Sequence, residues 1–402
     1  MEDWKEYKLG EVLSDKGYIR GPFGSALKRG DMKDSGIPVY EQQHAIYQSR
    51  DFRFYIDENK FNEMKRFQVQ TNDLVISCSG TVGKVTIIDK NDPKGIISQA
   101  LLILRVNSGI ILPKYLQYFF TSENGYNSII SRSSGSVQIN IAKRDVIEGI
   151  PLHLPPLSTQ QKIAQILSSL DDKIELNNKI NANLEQQAQA LFKSWFVDFE
   201  PFCGEMPAGW KVGTIGDLCL TVSQTYKGND SEVVLINTSD VENGDILNHE
   251  SVANTNLKGQ FKKTFQKNDI LYSEIRPANR HYAFVDIDET CNYIASTKLM
   301  VIRPNEDVNP HYLYHILTNP ELIKEMQHLA ETRSGTFPQI TFESELSTYQ
   351  IPLLPKEEQD KLGNLFEKID NMVFHNIREN KKLSNLRETL LPKLMNGEIE
   401  LP

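Results

Sequence analysis

An internal repeat constrains the fold of this chain more than any other feature of its sequence. Trp4-Lys5 followed by Leu9-Gly10-Glu11-Val12 returns as Trp210-Lys211 followed by Ile215-Gly216-Asp217-Leu218. Asn72-Asp73-Leu74-Val75-Ile76-Ser77 returns as Asn268-Asp269-Ile270-Leu271-Tyr272-Ser273, and Leu101–Arg105 as Leu299–Arg303. A Pro-x-Tyr-Leu follows both times, at Pro113–Leu116 and Pro310–Leu313. Ser134-Gly135-Ser136 with Gln138-Ile139 matches Ser334-Gly335-Thr336 with Gln339-Ile340, and Ile150-Pro151-Leu152 matches Ile351-Pro352-Leu353. All six matches keep one order at an offset of about 200 residues, so the chain is a tandem duplication of a unit about half its length.

Each unit has two parts. Residues 1–155 and 206–355 mix short β-branched runs, such as Val85-Thr86-Ile87-Ile88, with helical stretches and Gly/Asn/Asp turns, an α+β pattern. Pro-rich punctuation at 154–157 and 353–355 then opens residues 156–205 and 356–402, which read as long helices. Along the first, Ile163, Leu167, Leu170, Ile174, Asn177, Asn181, Leu184, Ala188, Leu191 and Trp195 alternate spacings of four and three, a coiled-coil seam. The second repeats that seam from Leu362 through Asn376 and Asn380 to Leu394. Antiparallel mating spares the chain a return along the helix. The expectation is therefore two similar globular parts joined by two long helices in an antiparallel coiled coil, with a pseudo-two-fold internal repeat. In that register Asn177 meets Asn380 and Asn181 meets Asn376. Buried amides need partners, so these four residues would fix the alignment.

Composition narrows the function. A net charge of −9 argues against a uniformly basic, nucleic-acid-binding surface. The charge is uneven, however: residues 1–155 carry 20 Lys/Arg against 18 Asp/Glu, and residues 201–355 carry 12 against 20. Any contact with DNA must rest on local patches. The four cysteines are scattered, with no Cys-x-x-Cys pair, which argues against a disulfide framework or structural zinc. No apolar run approaches the ~20 residues that span a bilayer, and the start lacks the basic and apolar regions of a secretory signal. A cytoplasmic protein with no membrane partner is expected.

A catalytic reading finds little support. Gly80-Thr81-Val82-Gly83-Lys84 lacks the spacing and the Ser/Thr of a P-loop. Asn309-Pro310-His311-Tyr312 lacks the second proline of an adenine-methyltransferase motif, and its repeat partner, Leu112–Tyr115, points to a proline at a helix start. Asp171-Asp172-Lys173 is a weak nuclease-like pattern that reads as a solvated charged face of the coiled coil. His311 and His315 have metal-ligand spacing but no third ligand nearby. No catalytic or metal-binding residue is assigned.

What differs between the repeats is the loops. Arg20-Gly21-Pro22-Phe23-Gly24-Ser25-Ala26-Leu27-Lys28-Arg29 faces Ser223-Gln224-Thr225-Tyr226-Lys227-Gly228 in the second unit. Ser79–Lys84 faces Glu274-Ile275-Arg276-Pro277-Ala278-Asn279-Arg280-His281. Like frames carrying unlike loops suit two modules that read different things, although ordinary divergence of surface loops remains an alternative. Arg20, Phe23, Ser25, Lys28, Arg29 and Lys84 are the first unit's candidates for contact with DNA; Tyr226, Lys227, Arg276 and Arg280 are the second's. Gln138 and Gln339 follow the matching Ser-Gly turns and join the candidates.

The helix sequence carries a resemblance. Gln160-Gln161-Lys162-Ile163-Ala164-Gln165-Ile166-Leu167-Ser168-Ser169-Leu170-Asp171-Asp172-Lys173, the run Ala190–Pro201 and the ending Leu394-Met395-Asn396-Gly397-Glu398-Ile399 resemble the specificity subunits of bacterial type I restriction–modification systems. The resemblance covers nearly the whole chain. It implies a target recognition domain at 1–155 and another at 206–355, each reading one half of a bipartite double-stranded DNA sequence. It further implies that the helical spacers at 156–205 and 356–402 dock two modification subunits, which bring S-adenosylmethionine for adenine methylation. Two restriction subunits would add translocation and cleavage driven by ATP and Mg. The chain itself would hold no cofactor and catalyse nothing. The alternative is a stand-alone bipartite DNA-binding protein without restriction partners.

Overall fold

A computed structural model of the chain describes residues 4–133, 139–228, 230–254, 259–399 and 401, except for the side chain of Ser25. The chain divides into two compact units, residues 1–174 with 382–402 and residues 175–381. Each unit holds one globular part and a stretch of both long helices.

The repeated Asn-Asp motif shows why the two globular parts fold alike. Asn72 and Asn268 both adopt the left-handed backbone conformation, with φ of 73° and 70°, which Asn tolerates better than most residues. The turn delivers Asp73 and Asp269 to the start of the strands Leu74–Ser77 and Ile270–Ser273. Each carboxylate is buried. Asp73 accepts the Arg105 fork at 2.7 and 2.8 Å, and Asp269 accepts the Arg303 fork at 2.7 and 2.7 Å. Each also accepts a backbone N–H, from Gln70 and from Gln266. The arginine is the last match in the repeated Leu101–Arg105 and Leu299–Arg303 runs, so one two-pronged ion pair ties adjacent strands in both units.

Around that pair the same sheet is built twice. In the first unit the order is Leu13–Arg20, Leu101–Val106, Leu74–Ser77, Val85–Ile87; in the second it is Cys219–Thr221, Leu299–Pro304, Ile270–Ser273, Tyr282–Phe284. All neighbours in both sheets are antiparallel. A second small sheet accompanies each, centred on a parallel pair: Ile37–Tyr40 beside Ile96–Ile97, and Glu232–Ile236 beside Tyr293–Ser296. The entry strand of each globular part pairs with its exit strand, Lys5–Lys8 with Pro151–Leu154 and Lys211–Thr214 with Gln350–Leu353. These ribbons explain why the Trp-Lys and Ile-Pro-Leu motifs repeat together. Each globular part opens and closes at one place, just before its long helix.

The two long helices span Leu157–Phe196 and Lys356–Met395, 40 residues each. Of their seam residues, Ile163, Leu167 and Leu394 enter the first unit's core, and Leu184, Ala188, Leu362, Phe366 and Val373 the second's. Gly363 is required by a close approach, since a Cβ there would lie 2.2 Å from the side chain of Asn309. Asn309 caps the helix Pro310–Leu317, accepting from the backbone of His311 and Tyr312, with Pro310 at the first helical position.

Within the second unit the helices run antiparallel through an amide layer. Asn177 Nδ2 donates to Asn380 Oδ1 at 2.9 Å and to Glu379 Oε2 at 2.7 Å, and Asn376 Nδ2 donates to Asn181 Oδ1 at 2.8 Å. Asn177, Asn181 and Asn376 are buried. Within the first unit Asp171 accepts from Arg387 at 2.8 Å.

One expectation is corrected here. Asp171 is not part of a solvated charged face: it also accepts the Tyr118 hydroxyl at 2.6 Å, joining the globular part to the helix pair. The repeat places Asp370 at the matching point of the second helix. There His311 Nδ1 lies 2.7 Å from one carboxylate oxygen and His315 Nε2 lies 2.9 Å from the other. The histidine pair therefore serves a junction. Their rings stack on Phe284 and Phe366, with centroids 4.5 and 3.9 Å apart.

Candidate nucleic-acid interface

In the first unit the strand Leu13–Arg20 runs directly into the Gly-rich loop. Arg20 and Phe23 meet in a cavity of about 370 Å³ whose wall also includes Tyr18, Arg66, Lys143 and Arg144. Phe23 is 62% exposed on its Gly-Pro-Phe-Gly turn. Arg144 pairs with Glu148 at 2.8 Å and lies over the Tyr18 ring, 5.2 Å from its centroid. Arg66 and Lys143 are exposed. Such a concentration of cations beside an exposed aromatic suits a nucleic-acid backbone and its bases.

The remaining first-unit candidates lie elsewhere in the same unit. Lys28 and Arg29 are exposed, the backbone N–H of Lys28 donating to Asp31 at 2.8 Å. Lys84 leans over the Tyr126 ring, 4.7 Å from its centroid, and does not line the Arg20 cavity. Gln138 and the Ser25 side chain lie outside the described residues. The segment after Gln138 returns to the Ser79 loop, where Gly80 N–H donates to Ile139 and Ile141 N–H to Cys78.

The second unit makes the same return with different side chains. Ile275 bridges Gln339, and Arg276 N–H donates to Pro338 at 3.1 Å, so the structure brings Arg276 and Gln339 together. Gln339 Oε1 accepts from Lys298, whose ammonium also pairs with Glu274. Arg276 and Arg280 both hold the left-handed conformation, at φ of 46° and 54°, flanking the turn Pro277–Asn279. For arginine that conformation is strained, and such strain concentrates at functional sites. Arg280 faces another wall, a cavity of about 270 Å³ that it shares with Glu185, Asn243, Tyr282 and Asp370. The Tyr226 hydroxyl donates to Asp230 at 2.6 Å, and Lys227 is exposed beside it.

Sequence reasoning missed Arg66, Lys143, Arg144 and Lys298. The first stands more than 40 residues from Arg20, and only the basic doublet Lys143-Arg144 just past the Ser-Gly turn carried any local signal. Among the described residues no group of His, Cys, Asp and Glu is arranged to hold a metal ion. Nor is any described helix long and apolar enough to cross a membrane.

Comparison with known proteins agrees with this architecture. A family model described as the type I restriction modification DNA specificity domain matches residues 1–186 and again 207–385, one match for each copy of the frame. The chain belongs to that family. It is 41% identical over 183 residues to the type I restriction enzyme HindI specificity subunit of Haemophilus influenzae, a match covering 45% of this chain and 39% of that relative. To the type I restriction enzyme MjaIX specificity subunit of Methanocaldococcus jannaschii it is 26% identical, across 99% of this chain and 97% of that one. Among solved structures, a type I restriction–modification S subunit from M. genitalium shares the fold, with a TM-score of 0.66 at 15% identity over 98% of this chain and 96% of that chain.

Proposed function

We propose that this chain is the specificity subunit of a type I restriction–modification complex, in which each globular part reads one half of a bipartite double-stranded DNA target. The long helices set the separation of the half-sites and dock two modification subunits. Those subunits carry S-adenosylmethionine and methylate adenine; two restriction subunits add ATP- and Mg-dependent translocation and cleavage. This chain supplies recognition and no chemistry of its own.

One observation carries the reading: the same frame, down to the same buried Asp–Arg fork, presents unlike loops in its two copies. Unlike loops on a like frame are what two readers of different sequences require. The Arg20 cavity and the Arg276–Gln339 loop pair are the places where side chains reach base edges, and exposed cations such as Arg66 and Lys143 hold phosphates. Binding should weaken steeply with salt, by about 0.9 in logarithmic slope for each phosphate neutralised. The test is selection of duplex DNA from a randomised pool by the full chain assembled with its modification subunit. The reading expects two short fixed blocks separated by a gap of constant length. One contiguous block, or no sequence preference, would contradict it.

A further inference from the structure

Arg20 differs from four part-buried arginines of this protein that each hold an aspartate. Arg50, Arg105, Arg303 and Arg387 are each matched by an aspartate within 2.8 Å. Among the described residues no carboxylate pairs with Arg20, and its Nη1 is buried without a hydrogen-bond partner. Its neighbours do not neutralise it. Burial pushes the Cys78 thiol up to about 12 against the charge of Arg20 and a hydrogen bond from it, and the Tyr18 hydroxyl up to about 12 against the same charge, so both stay uncharged. Glu148 is engaged by Arg144. A guanidinium nitrogen buried without a hydrogen-bond partner is costly. The protein keeps it at the end of a rigid strand, in the wall of a cavity, beside an exposed phenylalanine.

Among the described residues the second unit holds no such group. Arg20 stands opposite Leu102, which stands opposite Ile76. The matching ladder sets Met300 opposite Tyr272. Val222 N–H donates to Val301, which puts Ser223 opposite Met300, at the place that Arg20 holds in the first unit. The frame tolerates a serine there, so the arginine is not needed to build it.

We infer that Arg20 is the specificity-determining residue of the first unit and that its guanidinium fork takes the O6/N7 edge of a guanine in one half of the target. The inference rests on the function proposed above. Both a guanine edge and a backbone phosphate offer the paired acceptors that the fork requires. The guanine is favoured by position. Arg20 is fixed on the strand and set into the cavity wall, whereas the exposed Arg66 and Lys143 are free to follow a backbone.

The test compares Arg20→Lys, Arg20→Ala and Arg20→Met in the full chain, assembled with its modification subunit and selecting from a randomised duplex pool. Each variant should lose guanine preference at one position by roughly 5- to 150-fold, in one half-site only. The other half-site and the gap should be unchanged, which also reports that the variant is folded. Lysine should not rescue, because it keeps the charge and lacks the fork. Arg20→Met should raise the unfolding midpoint by roughly 2–4 °C, having removed an unmatched charge. Retained selectivity in Arg20→Lys, with uniform weakening in Arg20→Ala, would assign Arg20 to a phosphate and overturn the guanine reading. An unchanged motif in all three variants, or a lower midpoint in Arg20→Met, would overturn it as well. A wild-type complex that selects no bipartite motif would instead remove the underlying proposal, so the two failures are separable.

Discussion

The two units repeat one junction and solve it with different side chains. In the first, the helix-borne Asp171 accepts the Tyr118 hydroxyl and Arg387; in the second, the matching Asp370 sits between His311 and His315. The sheets of both units hold the same fork, Asp73 with Arg105 and Asp269 with Arg303. The loops share almost nothing, Arg20 standing where the other unit has Ser223. The gradient from fixed core, through substituted junction, to free loop separates what the fold demands from what recognition demands. A buried carboxylate must be satisfied, but a phenol with a guanidinium or two imidazoles will do. The loops answer to a ligand instead.

The sharpest way to break the comparison is to remove the shared fork. Asp73→Ala and Asp269→Ala each leave a part-buried arginine unmatched and a backbone N–H without its acceptor, and should destabilise the protein by about 3 kcal/mol. The two losses should be alike within about 1 kcal/mol in denaturant unfolding. A large loss in one unit and none in the other would show that the frames are equivalent in outline only.

The junctions should differ in their response to acid. Burial pushes the Asp370 carboxyl up, but His315 and His311 outweigh that effect and hold it below its ordinary value. A carboxyl lowered in the folded state adds stability above its unfolded value of about 3.9. That contribution disappears as pH falls through the lower folded value. Asp370→Asn should therefore cost about 1–3 kcal/mol at neutral pH and flatten the loss of stability below about pH 4. In the first unit, burial and the bond to Asp171 push the Tyr118 hydroxyl far up, so that donor stays protonated throughout the same range. An acid limb identical in wild type and Asp370→Asn would show that the histidine junction carries no proton linkage.

The smallest effect belongs to the amide layer. Replacing Asn177, Asn181, Asn376 and Asn380 together with Leu should raise stability by about 1 kcal/mol while loosening the helix register. Cysteines placed at Leu170 and Asn385 would report the loosening as slipped crosslinks. A fall in stability with a single crosslinked product would show that the amides contribute more by pairing than by specifying alignment.

Much of the frame was legible in the sequence because duplication marks it. Residues that must recur for physical reasons, such as the left-handed Asn72, the buried Asp73 and the matched Arg105, recur visibly. The helix seam and its asparagines were legible through their period. The junction was not: Asp171 sits among charged neighbours on a helix, and nothing local says that Tyr118 and Arg387 converge on it. The Arg20 cavity was half legible. A basic, Gly-rich loop drew attention to Arg20 and Phe23, but Arg66 and Lys143 reach the same cavity from distant segments. Arg276 and Arg280 stand four residues apart and read as one feature, yet the strained turn between them sends them to different walls.

The central claim is that recognition is modular, with residues 1–155 reading one half of the target and residues 206–355 the other. Exchanging residues 1–155 for the corresponding part of a relative, then mapping the methylated adenines in cells carrying the hybrid and its modification subunit, tests it most directly. The account predicts that one half of the methylated motif changes, while the other half and the gap persist. Change in both halves, or in neither, would contradict it.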